Sequence, residues 1–193
     1  MNIDSLVLTR SEISEIRDRW KTTEGIRIKR ELLDLLRAGS WDWPDLLIDL
    51  PKISIPASQP NFLDDLRGLE LQGEMLDGVS MSHSDLSYSI FEACSLKKAS
   101  FQGGRLSWAN LRQSQMQHAD LLQVAADHAV FDGCNLAGAM MLSGDYRNGS
   151  FKKADLRRSI MNGCRLMGAD LHGAQWHGAE VFNVDIARPG SEE

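Results

Sequence analysis

Apolar and polar positions alternate along most of this chain with a period that neither a helix nor a strand produces. From Leu66 to Ile186 every fifth residue is apolar, in a series that includes Leu71, Met81, Phe91, Phe101, Leu121, Phe131, Met141, Tyr146, Phe151, Leu156, Met161, Leu166, Leu171, Trp176 and Val181. All 25 of these positions are apolar in a chain that is 42% hydrophobic, an outcome that chance produces on the order of once in a billion trials. Residues five apart stand about 140° from each other on an α-helix, and a strand repeats every two. A strict short period of another length predicts a solenoid, in which each unit stacks on its neighbours and buries one continuous core. A second column supports this. Two residues before each apolar position, from 79 to 184, stand only Val, Ser, Cys, Ala or Gly, as at Cys94, Ala109, Ala119, Cys134, Ala154 and Ala169. A bulky column beside a small one fills a narrow interior without overpacking.

The units Ala119-Asp120-Leu121-Leu122-Gln123, Ala154-Asp155-Leu156-Arg157-Arg158 and Ala169-Asp170-Leu171-His172-Gly173 resemble the A(D/N)LXX unit of the pentapeptide-repeat family. The resemblance covers residues 64–187. It implies an all-β solenoid, a right-handed quadrilateral β-helix with four units per coil. At a strand spacing of about 4.8 Å, roughly six coils make a rod about 30 Å long. Asp64, Leu69 and Glu74 occupy the small column in the first units, so the first coil is expected to be irregular or to form a junction.

Residues 1–60 lie outside the repeat and read as a small α-helical region. Thr9-Arg10-Ser11-Glu12 has the capping-box layout, with Ile13, Ile16 and Trp20 following at helical spacing. Thr23 is placed to start a second helix carrying Ile28, Leu32, Leu35 and Leu36 on one stripe, with Gly39 as its stop. A short turn or helix follows to Leu50, with Pro44 at its start, and Pro51, Pro56 and Pro60 bound an extended connector. The expected organisation is therefore 1–60 as a helical cap or docking region, 61–187 as the β-helix and 188–193 as a tail. So few residues make a poor independent core, and covering the open N-terminal end of the solenoid is their expected task. The C-terminal end is less protected: a bare final coil presents unpaired backbone groups, so either the tail or a second molecule is expected to cover it, and Trp176 fits a wide, closed-off end.

Composition narrows the function. A net charge of −6 argues against a direct nucleic-acid binder. There is no apolar run of membrane-spanning length and no signal-peptide layout at Met1–Arg10, so a cytoplasmic location and no membrane partner are expected. Cys94, Cys134 and Cys164 all fall in the small column and read as core fillers rather than redox or metal groups. His83, His118 and His128 stand two residues after an apolar position, in a column that Gly, Asn and His fill at 15 of 24 places. These residue types tolerate positive φ best, so the column marks coil corners rather than ligands. Asp65, Asp85, Asp145 and Asp185 share one face but are interrupted by Arg105, Ala125 and Arg165, which favours a turn-stabilising role over acid–base chemistry. No nucleophile elbow and no phosphate-cradling loop occurs. No enzyme activity, cofactor or metal is expected.

What remains is surface. Sorted by the twenty-residue coil, Leu122, Met140, Leu142, Ile160 and Phe182 fall outward on one face over adjacent coils. Contiguous exposed apolar residues mark contact surfaces, so this face is the expected interface for a protein partner or a second copy. Charge is uneven, with Asp64, Asp65, Glu70 and Glu74 early and Arg147, Lys152, Lys153, Arg157 and Arg158 in one later belt. Some members of the resembled family protect DNA gyrase from fluoroquinolones by imitating duplex DNA as acidic rods that dimerise through a C-terminal helix. A DNA-mimicking modulator of this type II topoisomerase is the alternative expectation. The basic belt and the lack of an obvious C-terminal helix weigh against it.

Overall fold

A computed structural model describes residues 7–53 and 64–186. Pro56, Pro60 and the expected tail at 188–193 lie outside the described residues, as does most of the connector.

The five-residue rhythm becomes geometry through one repeated turn. In each unit the small-column N–H donates to the carbonyl of the bulky residue three positions earlier, as Cys94 N to Phe91 O at 3.2 Å and Ala99 N to Leu96 O at 3.1 Å. A turn of this kind with positive φ at its third residue has the type II pattern, which favours Gly or Asn there. Every residue of the corner column from Gly68 to Asn183 has positive φ. That includes the three corner histidines, and it also includes Tyr88, Lys98, Trp108, Lys153 and Arg158, which composition did not suggest.

Successive turns stack at a fixed offset. Parallel bridges join Asp64–Asp65 (β1) to Ser84–Asp85 (β2), and then every fifth residue to the one twenty positions on, through Arg165 to Asp185. Four units therefore make one coil. Bulky and corner N–H groups donate forward to the next coil, as Leu71 N to Ile90 O and Gly73 N to Glu92 O; Ile90 N then reaches back to Leu69 O. Each coil contributes only single bridged residues to each face, so the ladder is regular while its strands are minimal.

The interior is dry from Leu66 to Leu166, where every bulky position is buried. Phe131 and Phe151 stack at 4.8 Å, which is the spacing of paired strands, and Tyr146 meets both edge-on. The Tyr146 hydroxyl donates to Leu121 O at 3.3 Å. The small column makes room for this ring: a Cβ on Gly144 would lie 2.3 Å from Tyr146. Serines of that column turn their hydroxyls back to carbonyls, as Ser114 to Phe91 O and Ser159 to Leu156 O, so the polar groups inside have partners.

The described helices sit on the first coil. Helix α1 (Arg10–Asp18) opens with the full capping box, Thr9 accepting from Glu12 N and the Glu12 side chain accepting from Thr9 N. Helix α2 (Thr23–Arg37) is capped by Thr22, one residue before the expected start, whose hydroxyl oxygen accepts from Gly25 N. A 3-10 turn at Trp43–Asp49 follows, with Pro44 in its first turn. Trp20, Ile28, Leu32, Leu36 and Trp43 join Leu66, Leu69 and Leu71 in one continuous core.

The first coil also has carbonyls with no preceding coil to occupy them. Side chains of the helical region take that place. Arg19 donates to Asp65 O and Arg67 O, Trp20 Nε1 to Arg67 O at 2.8 Å, and Lys29 to Glu70 O at 2.8 Å. Arg37 donates weakly to Met75 O and pairs with Glu74. This explains the irregular small column there: Leu69 is fully buried in the core shared with α2, and Glu74 meets an arginine of the helical region.

Candidate interaction surface

The Asp and Asn residues before the bulky positions are spent on local order. Asp65, Asp85, Asp120, Asp145, Asp155 and Asp170 each accept from the N–H two residues on, which is the Asx turn the sequence suggested. The charges are likewise balanced locally. Arg147 pairs with Asp145, Arg157 with Asp155, Lys152 with Asp170 and Arg112 with Asp132, while early carboxylates pair with Arg19 and Arg37. The dipolar rod that the sequence suggested is thus muted by pairs, two of them within a unit and two, Arg112 with Asp132 and Lys152 with Asp170, between coils.

The three cysteines are buried and free. Their thiols donate to Leu71 O, Leu111 O and Met141 O. Burial pushes the Cys134 thiol up to about 12 and the Cys164 thiol to about 11, so neither supplies a thiolate near neutrality. The corner histidines pack along the rod. The rings of His83 and His118 lie where a Cβ on Gly103 or Gly138 would approach within 2.7 and 2.6 Å, and His128 stacks on Trp108 at 4.0 Å. Among the described residues no group of three or more His, Cys, Asp or Glu is placed to hold a metal ion. No helix among them is long and apolar enough to cross a membrane.

Four of the five apolar residues singled out on one face lie on adjacent coils, whereas Phe182 stands two coils beyond Leu142 with Asn162 between them. Met140 bridges to Ile160, and the ladder carries Leu122, Leu142 and Phe182 in the neighbouring column, through bonds from Gly103 N to Leu122 O, Gln123 N to Leu142 O and Gly163 N to Phe182 O. Leu122, Leu142 and Ile160 are half-buried, whereas Met140 and Phe182 are exposed. The strip begins polar, since Ser80, Ser82 and Ser100 hydrogen-bond one another in the preceding coils.

The last coil departs from the sequence expectation. Leu166 is 1% exposed, but Trp176 is 41%, Val181 53% and Phe182 68% exposed. Trp176 therefore does not close the end. With no later coil above them among the described residues, the final bulky side chains have nothing to pack against on that side. Their backbone shares the same fate: among the described residues no acceptor meets the N–H groups of Leu171, Gly173, Trp176, Gly178, Val181 and Asn183. The two ends of the ladder thus differ, one answered by helix side chains and one without partners among the described residues. What the periodicity does not foresee is the exposure of Trp176, because it treats every unit as having two neighbours.

Comparison with family models finds the same repeat. Residues 76–113 and 150–186 match the family model described as pentapeptide repeats, in 8 copies. No curated protein matches. Among solved structures, the pentapeptide repeat protein Rfr23 from the cyanobacterium Cyanothece 51142 is 17% identical over 62% of this chain and 86% of its own, with a TM-score of 0.32. A pentapeptide repeat protein of the Arabidopsis thaliana thylakoid lumen is 22% identical over 58% of this chain and 61% of its own, with a TM-score of 0.25. Full-length QnrB1, a plasmid-mediated fluoroquinolone resistance protein, is 18% identical over 62% of this chain and 80% of its own, with a TM-score of 0.21. This chain thus carries pentapeptide repeats, eight matched copies of them set in the twenty-residue ladder.

Proposed function

We propose that this protein is a non-enzymatic, cytoplasmic interaction scaffold, a rigid right-handed quadrilateral β-helix whose contact surface runs from the Leu122–Met140–Leu142–Ile160 strip onto the open last coil at Phe182. The observation that carries this reading is the unanswered C-terminal edge. Exposed Trp176, Val181 and Phe182 adjoin a row of N–H groups without acceptors among the described residues. An apolar floor beside an unpaired backbone edge is a template for another chain. A second copy brings the same edge, and two such edges pair about a twofold axis, so a homodimer is the first occupant.

Sedimentation velocity of the full chain tests this, with Leu142→Glu and Phe182→Glu as variants and circular dichroism as a check on folding. The expected result is a dimer that both substitutions weaken by at least about tenfold, since burying an unpaired carboxylate costs more than a factor of ten in binding. A wild-type monomer at all concentrations, or dimers indifferent to both substitutions, removes the surface from consideration. The DNA-mimic alternative gives a different result: purified gyrase would change its supercoiling activity on titration with the wild-type protein. The basic belt weighs against it: Arg147, Lys152 and Arg157 are paired with carboxylates, and Lys153 and Arg158 add positive charge where a DNA mimic needs negative potential.

A further inference from the structure

The four faces of the rod do not share charge equally. Over residues 64–186 carboxylates outnumber cations, yet one face reverses the balance. It is built on Leu76, Leu96, Met116, Leu136 and Leu156, and the ladder aligns Met75, Ser95, Gln115, Asn135 and Asp155 along it. Its outward cations are Lys97, Lys98, Arg157 and Arg158, all exposed, and its outward carboxylates among the described residues are Asp77 and Asp155. Both carboxylates are already engaged. Asp77 accepts from the Ser95 hydroxyl at 2.6 Å and from the Lys97 N–H at 2.9 Å, and Asp155 pairs with Arg157 at 2.6 Å.

The unpaired cations gather here as well. Among the described residues of the rod, Arg67, Arg112, Arg147, Lys152, Arg157 and Arg165 each have a carboxylate within ion-pair distance. Lys97, Lys98, Lys153 and Arg158 have none, and neither has Arg105 on the opposite face. Lys153 stands at the corner that leads into the basic face. Neighbouring coils leave these corner cations room, with Gly133 and Gly173 on either side of Lys153, and Gly138 and Gly178 on either side of Arg158. A Cβ on Gly178 would lie 3.7 Å from Arg158 Cγ, so the arginine stem runs along the rod over that glycine. Exposed cations are ordinarily just solvated; their spacing is what singles these out.

Lys98 and Arg158 share one corner column three coils apart, and Lys97 and Arg157 share the column beside it. At about 4.8 Å per coil the two cationic rows lie about 14 Å apart. Between them the floor is Gln115, Gln117, His118, Asn135 and Ala137, without a carboxylate. An extended chain advances about 3.4 Å per residue and returns its side chains to one side at even steps. Two carboxylates four residues apart therefore match the two rows. From this match we propose that the face holds an extended acidic segment of a partner protein, laid along the rod. One carboxylate meets Lys97 and Lys98, and the next, four residues on, meets Arg157 and Arg158 with Lys153 beside them. The adjoining faces confine the segment, since Glu92, Asp132 and Asp170 lie on one side and Asp120 and Glu180 on the other. A broader polyanion such as a nucleic-acid duplex would set its phosphates against those carboxylates. The surface is separate from the open C-terminal edge, so peptide binding and dimerisation fail independently.

Fluorescence anisotropy of labelled probes titrated with the full chain tests it. The probes are a Gly/Ser peptide with Glu at every fourth residue, a peptide of the same composition with its Glu residues contiguous, and an oligothymidylate of similar length. The periodic peptide should saturate with a dissociation constant below about 1 mM at low salt, and its binding should weaken as salt screens the charges. It should bind at least about threefold more tightly than the contiguous peptide. The double variant Lys98→Gly, Arg158→Gly supplies the residue that positive φ favours, so the fold is kept, and it should weaken binding at least about threefold. Arg165→Gln removes a cation from the opposite face and should leave binding unchanged. Failure of the periodic peptide to saturate, equal binding of the contiguous one, tighter binding of oligothymidylate, or binding that the double variant leaves undiminished overturns the proposal.

Discussion

Replacing Phe131 by alanine is the most direct test of the dry interior. The ring is fully buried, stacks on Phe151 at 4.8 Å and meets Tyr146 edge-on at 6.0 Å. It therefore occupies the middle of a three-ring cluster spanning two coils. Truncating a buried phenylalanine costs about 3–5 kcal/mol, because the transfer energy of the ring is lost and the cavity closes only in part. Closure is hard here: the ladder fixes the coil spacing, as Phe131 N donates to Ser150 O and Val130 N to Ala109 O. For a chain of this length each kcal/mol moves the melting temperature by roughly 2–4 °C, so a drop of roughly 6–20 °C is expected. Removing a comparable mass at Met75, which is 72% exposed, should change stability by no more than about 0.5 kcal/mol.

The solenoid adds a spatial signature. Each coil touches only its neighbours, so the loss should be local. Hydrogen exchange of Phe131→Ala should speed up in the coils that contain Leu111, Phe131 and Phe151, while the first coil under α2 keeps its protection. Thermal unfolding and exchange mass spectrometry measure the two effects on one preparation. A shift worth less than about 1 kcal/mol would mean that the ring does not fill a packed interior. Uniform acceleration along the rod would mean that the coils do not behave as a one-dimensional stack.

The helical region should release in acid. Burial alone would raise the Asp65 carboxyl, but hydrogen bonds from Arg67 and Arg19 outweigh it and hold the group at about 2. A depressed folded value contributes stability at all pH above the unfolded value of about 3.9, and that contribution fades as pH falls toward 2. Exchange protection of α1 and α2 should drop between pH 4 and 2 before the coil ladder does, and Asp65→Asn should show the same loss at pH 7; equal protection of helices and coils throughout would refute it. The thiols should be inert, since burial raises Cys134 to about 12 and Cys164 to about 11. Native protein at pH 8 should label with iodoacetamide far more slowly than denatured protein, and full labelling of the native state within minutes would contradict their burial.

The period of five made the interior legible because both columns are set by sterics that act unit by unit. Phe131 must be large and Ala129 small whatever lies elsewhere, so the pattern survives in the chain itself. The corner column was legible for the same reason at Gly68 or Asn148, yet Trp108 and Tyr88 hold the same positive φ without the residue type that announces it. There the ladder overrides preference, since Trp108 N is fixed to Asp127 O and Tyr88 N to Ser107 O on the neighbouring coil. What could not be read was anything between units far apart in sequence. Arg19 lies 46 residues from Asp65, and no local pattern joins them.

The unequal ends follow from the direction of the chain. N–H groups of the bulky and corner residues seek the next coil, and carbonyls of the residues flanking each bulky position seek the previous one. A cap for the first coil must therefore donate, and the side chains that cover it are all donors: Arg19, Trp20, Lys29 and Arg37. The bulky and corner N–H groups of the last described coil instead need acceptors. Any partner at the C-terminal edge is thus expected to offer carbonyls or carboxylates around an apolar centre that meets Trp176 and Val181. A second copy satisfies this through its own small-column carbonyls at Ala169, Ala174 and Ala179, which lack donors among the described residues just as the N–H groups beside them lack acceptors.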